Sequence, residues 1–338
     1  MRRRVGVVLT AIAVGVVLAG CGEKQNVTTA GTVKPLSVML DWFPNADHAS
    51  LYTAIDDGYF RAVGLEVRPV VPSETAEPLK LLAAGKVEMA ISYEPELLLA
   101  RDEGLKLVSI AALVQKPLTS IIALPSAHVK SLANLAGKRV GTAGIPYQAA
   151  ELKTALKHAG VQPSKVTEVN VGFNIVQSMI SGKVAATLGG YWNYEAIQLE
   201  EMKKHPLVIP INEAGVPDYD ELVLVVRENE AHHDGVELRA FLQALNQGER
   251  AVKANPKAAA QHIMQANPDL EEKLQLASIE KTLPAAIPAE SNKPYGWQSP
   301  SQWEAFGEWM FKEGLLKHNP DSTGLPPFTN EYLPGQGI

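Results

Sequence analysis

The chain has 338 residues, of which 31 are basic and 37 are acidic, and its formal net charge is −6. The length suits two domains of ordinary size, and the acidic balance argues against nucleic acid as a partner, because phosphate recognition needs a basic surface. A single cysteine excludes a disulfide framework and a cysteine-based metal site.

An export signal is predicted over residues 1–20. Three arginines at positions 2–4 precede an apolar run, residues 5–18, which is too short to span a membrane comfortably. The run ends in Leu18-Ala19-Gly20-Cys21, a pattern typical of bacterial lipoproteins. We therefore expect cleavage before Cys21 and a lipid on Cys21, with an ordinary secretory signal as the alternative.

The expected mature chain is more acidic than the full sequence. Removing residues 1–20 leaves 28 basic against 37 acidic residues, a net charge of −9. Residues 21–34 are mostly small and polar, which predicts a flexible tether behind the lipid. We expect an exported monomer, anchored by its N-terminal lipid to the outer face or the periplasmic side of a bacterial cell membrane.

Strand and helix signals alternate along the rest of the chain, which predicts an α/β architecture with doubly wound, mostly parallel sheets. The first set consists of strand 36–40, helix 49–60, strand 65–71, helix 76–84 and strand 87–92. The second set repeats this order with strand 139–142, helix 148–158, strand 166–171, helix 174–181 and strand 184–188. The repeat predicts two lobes of similar construction.

Two apolar runs, residues 118–124 and 221–226, are expected to mark where the chain passes between the lobes. Two crossings make the first lobe discontinuous. We predict residues 35–124 plus 222–338 for the first lobe and residues 125–221 for the second. A two-stranded hinge of this kind permits opening and closure around a ligand.

A ligand site is predicted where four loops follow strand ends, because ligands bind beyond the carboxyl ends of strands in parallel sheets. These loops are residues 41–48, 92–96, 143–148 and 190–195. Trp42 and Trp192 are expected to sandwich a flat ring, and Glu94 and Glu195 to accept hydrogen bonds from its amines. The full set of predicted ligand-binding residues is Trp42, Asn45, His48, Tyr93, Glu94, Gly144, Tyr147, Tyr191, Trp192, Asn193 and Glu195.

Structural roles are the alternatives for several of these side chains. Trp42 and Tyr191 could be packing residues, and His48 could pack or cap a helix. Glu94 could stabilise the first turn of the helix that follows it, where acidic groups are favoured.

Gly144 is predicted to contribute through the backbone. It lies in a loop that directly precedes a helix, so backbone N–H groups there could donate to an electron-rich group of the ligand.

Catalytic and metal-binding motifs give little support for an enzyme. The sequence has no Gly-x-Ser-x-Gly elbow, no phosphate loop and no His-Glu-x-x-His helix. His232 and His233 beside Asp234 resemble a metal site only superficially, because adjacent side chains on a loop point apart. We expect a binding protein without cofactor or metal.

Several motifs resemble a known family, the thiamine-pyrimidine-precursor-binding proteins of ABC importers. They are Asp41-Trp42-Phe43-Pro44-Asn45, Gly58-Tyr59-Phe60, Gly64-Leu65-Glu66-Val67 and Gly85-Lys86-Val87-Glu88-Met89-Ala90, within a resemblance that covers roughly residues 36–315. The resemblance implies the two-lobed periplasmic-binding-protein fold (type II-like) and an ABC permease as partner. It also implies a small aromatic nitrogenous ligand, an aminopyrimidine held by Trp42, Tyr93, Trp192 and Glu195.

Other members of this superfamily supply the alternatives. The yeast-type pyrimidine synthase uses a lysine that holds pyridoxal phosphate, together with a histidine and a cysteine-rich patch. The strand end Ser92-Tyr93-Glu94-Pro95-Glu96 of this chain has neither lysine nor histidine. Riboflavin, or a sulfonate such as taurine, remains open as the ligand, although the four loops contain no Arg or Lys to attract a sulfonate.

Overall fold

Two five-stranded sheets form the framework of the protein, in a computed structural model that describes residues 33–288, 290, 292–320 and 326–336. The strands are β1 Lys34–Met39, β2 Leu65–Val70, β3 Met89–Ser92, β4 Leu107–Val114, β5 Thr119–Ala123, β6 Arg139–Thr142, β7 Thr167–Asn170, β8 Ala186–Tyr191, β9 Leu207–Pro210 and β10 Leu222–Arg227. The helices are α1 Ala49–Asp56, α2 Tyr59–Ala62, α3 Pro78–Ala83, α4 Glu94–Asp102, α5 Gln148–His158, α6 Ile175–Ile180, α7 Glu195–Glu201, α8 Glu228–His233, α9 Gly235–Ala254, α10 Pro256–Ala266, α11 Glu272–Ala286 and α12 Pro300–Lys312.

The two sheets have the same topology, as the repeat in the sequence predicts. Their strand orders are β2-β1-β3-β10-β4 and β7-β6-β8-β5-β9. In each sheet three strands pair in parallel, and the strand that arrives from the other half of the chain, β10 or β5, runs antiparallel to its two neighbours. Most strands of each sheet therefore point the same way, which confirms the predicted α/β, two-lobed fold class.

The chain passes between the sheets twice, and the structure corrects two predicted boundaries. The chain crosses to the second sheet over residues 115–118 and returns to the first sheet over residues 211–221. The predicted boundary at residue 124 assigns the run at 118–124 to the first lobe, but β5 pairs with β8 and β9 in the second sheet. Lys34, expected at the end of the tether, instead begins β1 and pairs with Leu65.

Helices cover the first sheet, and its strands β3, β4 and β10 are buried almost throughout. All eight residues of β4 are buried, as expected for a strand enclosed by helices. On one side α9 packs closely along α1, and a methyl group at Gly248 of α9 would overlap the Ser50 carbonyl oxygen. The C-terminal helices therefore complete the core around the first sheet.

No helix within the described ranges is long and apolar enough to cross a membrane. The predicted export signal and the lipidation of Cys21 fall within residues 1–32, outside the part of the chain that the structure describes.

Candidate functional site

A cavity of about 420 Å³, including the part open to solvent, lies between the two sheets at the carboxyl ends of their parallel strands. This is the position expected for a ligand site in such sheets. The first-sheet side contributes Asp41, Trp42, Asn45, Asp47 and Tyr93, and the second-sheet side contributes Ala143, Ile145, Tyr147, Gln148, Gly189, Tyr191, Tyr194 and Glu195. Six of the eleven predicted residues line it: Trp42, Asn45, Tyr93, Tyr147, Tyr191 and Glu195.

Asp41 is held by two donors at the floor of the cavity. Its Oδ2 accepts a hydrogen bond from the Tyr93 hydroxyl at 2.9 Å, and its Oδ1 lies 2.8 Å from His48 Nε2. The backbone N–H of Asn45 donates to His48 Nδ1 at 3.3 Å, so the ring proton is on Nε2 and points to Asp41. Asp41 is therefore fixed in orientation before any ligand arrives.

The loop after β1 owes its shape to Asn45. The Asn45 side-chain oxygen accepts the N–H of Asp47 at 2.8 Å, and its amide nitrogen donates to the Phe43 carbonyl at 3.1 Å. These bonds cap the short 3-10 turn that precedes α1. Asn45 lines the cavity, but its polar atoms are largely occupied by the loop itself.

Two further carboxyl groups border the cavity, and both have a pKa raised toward neutral pH. Burial raises the pKa of Asp47 to about 6 and the pKa of Glu195 to about 7. Glu195 begins α7, and its Oε2 accepts the backbone N–H of Tyr191 at 2.8 Å. All titratable side chains of the lining are carboxyl or phenol groups, so the cavity is rich in hydrogen-bond acceptors.

Glu221 connects the cavity to the two chain crossings. Its buried carboxylate accepts the backbone N–H groups of Leu118 at 2.7 Å and Thr119 at 2.9 Å. It also accepts the hydroxyls of Thr119 at 3.0 Å, Tyr191 at 3.2 Å and Tyr219 at 3.3 Å. Because Tyr191 lines the cavity, one side chain joins both crossing segments to the candidate site.

The structure corrects the predicted placement of Trp192. Its ring does not face Trp42 across the cavity but borders a separate surface groove with Lys281, whose ammonium lies 5.8 Å from the ring centroid. Its Nε1 donates to the carbonyl of Pro117 at 2.9 Å. The predicted tryptophan sandwich is therefore not formed, and Trp42 instead packs edge-on against Phe173 at 4.5 Å between centroids.

Asn193 and Glu94 also lie outside the cavity lining. The amide nitrogen of Asn193 donates to Asp47 Oδ1 at 2.6 Å and to Thr282 Oγ1 at 2.5 Å. Asn193 therefore holds Asp47 in place without lining the cavity itself. Glu94 is fully buried, and its Oε2 accepts the backbone N–H of Asp220 at 2.7 Å. Burial raises the pKa of Glu94 well above its usual range, which favours a neutral structural group.

His48 and Gly144 are the last two of the predicted residues that do not line the cavity. His48 is buried behind Asp41, as described above, and reaches the cavity only through that carboxylate. Gly144 has a φ of +81°, and a side chain there would overlap Asn170; its neighbours Ala143 and Ile145 line the cavity instead. Gly144 shapes the loop and does not border the cavity.

Seven lining residues were not selected from the sequence: Asp41, Asp47, Ala143, Ile145, Gln148, Gly189 and Tyr194. Asp41 and Asp47 lie within the first predicted loop, so their position at a strand end was the available signal. Gln148 directly follows the third loop and is the first residue of α5. Among the described residues, no group of three or more His, Cys, Asp or Glu side chains is arranged to hold a metal ion.

Comparison with known proteins decides the family. The NMT1/THI5-like sequence profile matches residues 45–259, which is more than half of the chain. The chain belongs to the NMT1/THI5-like family. It is 34% identical over 297 residues to the formylaminopyrimidine-binding protein of Halalkalibacterium halodurans, covering 87% of this chain and 89% of that protein.

Other relatives of this chain have different names. A putative thiamine biosynthesis protein of Haemophilus influenzae is 35% identical over 282 residues, covering 83% of this chain and 88% of that protein. The 4-amino-5-hydroxymethyl-2-methylpyrimidine phosphate synthase THI13 of Saccharomyces cerevisiae is 25% identical over 317 residues, covering 88% and 87%. The relatives of this chain thus include a protein named as a binding protein and a protein named as a synthase.

Solved structures support the same fold for this NMT1/THI5-like chain. The alkanesulfonate-binding protein SsuA of Xanthomonas axonopodis pv. citri, bound to MOPS, superposes with a TM-score of 0.63 at 15% identity, covering 84% of this chain and 95% of that one. The periplasmic nitrate-binding protein NrtA of Synechocystis PCC 6803 gives 0.64 at 14% identity, covering 86% and 84%. At these identities the likeness establishes the periplasmic-binding-protein fold.

Proposed function

We propose that the protein is a lipid-anchored solute-binding component of an ABC importer and that it captures an aminopyrimidine precursor of thiamine. The ligand would bind in the cavity between the sheets and pass unchanged to the membrane permease. One observation carries the proposal: an acceptor-rich cavity that is bordered by the Trp42 ring and has no basic side chain in its described lining. A flat ring with amino groups is complementary to such a cavity.

The chemistry of the lining supports an amine-bearing ligand. Trp42 offers an aromatic surface for stacking, and Glu195 offers a carboxylate whose Oε2 is already fixed by the Tyr191 N–H. Charged acceptors form stronger hydrogen bonds than neutral ones, and the effect is larger away from water. Asp47 adds a second acceptor on the opposite side. The relative named as a formylaminopyrimidine-binding protein is consistent with this ligand class.

Anionic ligands fit this cavity poorly, although the fold is shared with sulfonate- and nitrate-binding proteins. Asp41, Asp47 and Glu195 would place three carboxyl groups near the ligand, and like charges in a partly dry site repel. Binding of sulfonates such as taurine is therefore expected to be weak.

Synthase chemistry is the alternative that the more distant relatives raise. The side chains on the cavity surface are suited to holding a ring by stacking and by hydrogen bonds, and the relatives with about a third of residues identical include the protein named for binding. We therefore propose binding and release without reaction.

Isothermal titration of the purified protein with formylaminopyrimidine and with hydroxymethylpyrimidine tests this function. We expect heat with at least one pyrimidine and none with taurine at the same concentration. Absence of heat with both pyrimidines at high micromolar concentration would refute the ligand class. A purified protein that turns yellow with riboflavin and shows quenched tryptophan fluorescence would redirect the assignment to that ligand.

A further inference from the structure

Gln148 is a polar side chain at the cavity, apart from the carboxylates and rings that the proposed function uses. It is the first residue of α5 and only 2% exposed, and it borders the cavity beside Tyr147. Its Oε1 accepts the backbone N–H of Ala143 at 2.8 Å. An N–H group can pair only with the oxygen of an amide, so this bond fixes which end of the side chain is oxygen and which is nitrogen.

The amide nitrogen of Gln148 lies against Gly189 on the neighbouring strand β8. A methyl group at Gly189 would overlap Nε2, so the glycine provides the space that this NH₂ group occupies. Gly189 also has a φ of +103°, a conformation that favours glycine. Both residues border the same cavity.

The Nε2 donors of Gln148 have no acceptor within the described part of the chain, whereas the Oε1 acceptor is bonded. Nε2 is not among the enclosed polar atoms that lack a partner in the described residues, so it is open to the cavity, and a ligand that covers it must offer an acceptor or leave it unpaired. An acceptor supplied by a ligand would satisfy it. The NH₂ group contrasts with the carboxylates of the lining, because it is a donor held in a fixed direction.

We propose that Gln148 is a specificity-determining residue that donates a hydrogen bond from Nε2 to an acceptor atom of the bound ring. The inference rests on the proposed function and deepens it. The carboxylates select the amino edge, and Gln148 selects a ring nitrogen or carbonyl oxygen elsewhere on the same molecule. The ligand class is a flat heteroaromatic amine that presents both donors and an acceptor.

Ligands that differ at one atom test this selection. We would titrate the protein at pH 8 with 4-aminopyrimidine, 2-aminopyridine and aniline, which contain two, one and no ring nitrogens and are all largely uncharged at this pH. The native protein is expected to prefer the pyrimidine over at least one of the two analogues by about ten- to a hundred-fold, the range of a hydrogen bond whose loss leaves a donor covered by the ligand unpaired.

Two variants separate donation from loop support. Gln148→Met removes both the donor and the acceptor for Ala143, and Gln148→Glu, measured at pH 8, removes the donor but keeps that acceptor. If Nε2 donates to the ligand, the preference for the pyrimidine falls toward one in both variants. The preference is a ratio between uncharged ligands, so a loss of affinity from the added charge that both ligands share does not alter it.

Three outcomes would contradict the inference. An unchanged preference in both variants would overturn it while leaving aminopyrimidine binding in place. A preference lost in Gln148→Met but kept in Gln148→Glu would assign Gln148 to holding the loop at Ala143. A native protein that binds no aminopyrimidine would overturn the proposed function together with this inference. Thermal unfolding of each variant shows whether it is folded. If Gln148→Met does not fold, the result with Gln148→Glu decides.

Discussion

The Asn193 side chain donates to Asp47 Oδ1 across 2.6 Å and joins the end of β8 to the loop that follows β1. Asn193 also donates to Thr282 of α11, whose hydroxyl lies 3.1 Å from the same Asp47 oxygen. Asp47 borders the cavity. Three distant segments of the chain therefore meet at one carboxylate beside the candidate ligand site.

Replacing Asn193 with Ala should weaken both the fold and ligand binding. The change leaves Asp47 with fewer donors, and we expect a loss of about 1–3 kcal/mol in the free energy of unfolding, the cost of an unpaired buried polar group. Urea unfolding measures this loss. Asn212→Ala is a matched control, because the Asn212–Asp218 hydrogen bond is exposed. Equal effects of the two substitutions would contradict a joining role for Asn193.

The two tryptophans should differ sharply in their effect on ligand affinity. Trp42 borders the cavity, whereas Trp192 borders a separate groove. We expect Trp42→Leu to weaken binding by about 1–3 kcal/mol, the scale of stacking between an aromatic side chain and a nucleobase-like ring. Trp192→Leu should change affinity by much less. A large loss with Trp192→Leu would instead favour a sandwich that forms in the bound state.

Glu195 should control how binding depends on pH. Burial raises the pKa of Glu195 to about 7, and the carboxylate form is the better acceptor for an amine. Affinity is therefore expected to fall by about ten-fold from pH 7.5 to pH 5.5, as this group takes up a proton.

Glu195→Gln should remove most of that pH dependence and weaken binding at pH 7.5 by about 1–3 kcal/mol, since a neutral amide replaces a charged acceptor. Titration calorimetry at several pH values measures both effects. Glu200→Gln, on the exposed side of the same helix, is the control. An unaltered pH profile in Glu195→Gln would give Glu195 a structural role.

Glu221 should make the fold more stable in mild acid than at neutral pH. Burial raises the pKa of Glu221 from its ordinary 4.5 to about 7. Between these values the folded chain holds a proton that the unfolded chain has released, so the free energy of unfolding falls as the pH rises through this window.

Glu221→Gln should reduce that fall by about 3 kcal/mol, the equivalent of the pKa difference. Glutamine keeps an acceptor for the N–H groups of Leu118 and Thr119, and the nearby hydroxyls can rotate to accept from its NH₂ group. Urea unfolding from pH 4.5 to 8 provides the measurement, with the exposed Glu213→Gln as control. The same slope in native protein and Glu221→Gln would show that other groups cause it.

The sequence allowed the order of strands and helices to be predicted, because alternation and glycine turns are local signals. It also placed the site at the strand ends, and this rule located Trp42, Tyr147 and Glu195 on the cavity. The directions of the side chains at the end of β8 could not be predicted from local signals. A shift in pairing register between β5 and β8 and the positive φ of Gly189 alter how the strand end is presented, with Tyr191 on the cavity and Trp192 outside it.

Long-range polar pairs account for the remaining differences. Glu94 was predicted to face a ligand, but it pairs with Asp220, 126 positions later. Asn193 pairs with Asp47 from the other half of the chain. A single sequence contains no signal for such partners, since any of its 37 acidic side chains could have been exposed or buried.

The position of β10 between β3 and β4 has a consequence for how the chain folds. β4 is an edge strand that pairs with β10, and Leu222 lies opposite Val114. The first sheet therefore stays incomplete until the ribosome has made about a hundred further residues, including every strand of the second sheet. Closing so long a loop is slow, because its entropy is lost before the new contacts form. In synthesis from the N-terminus, the half of the protein that begins first is the half that finishes last.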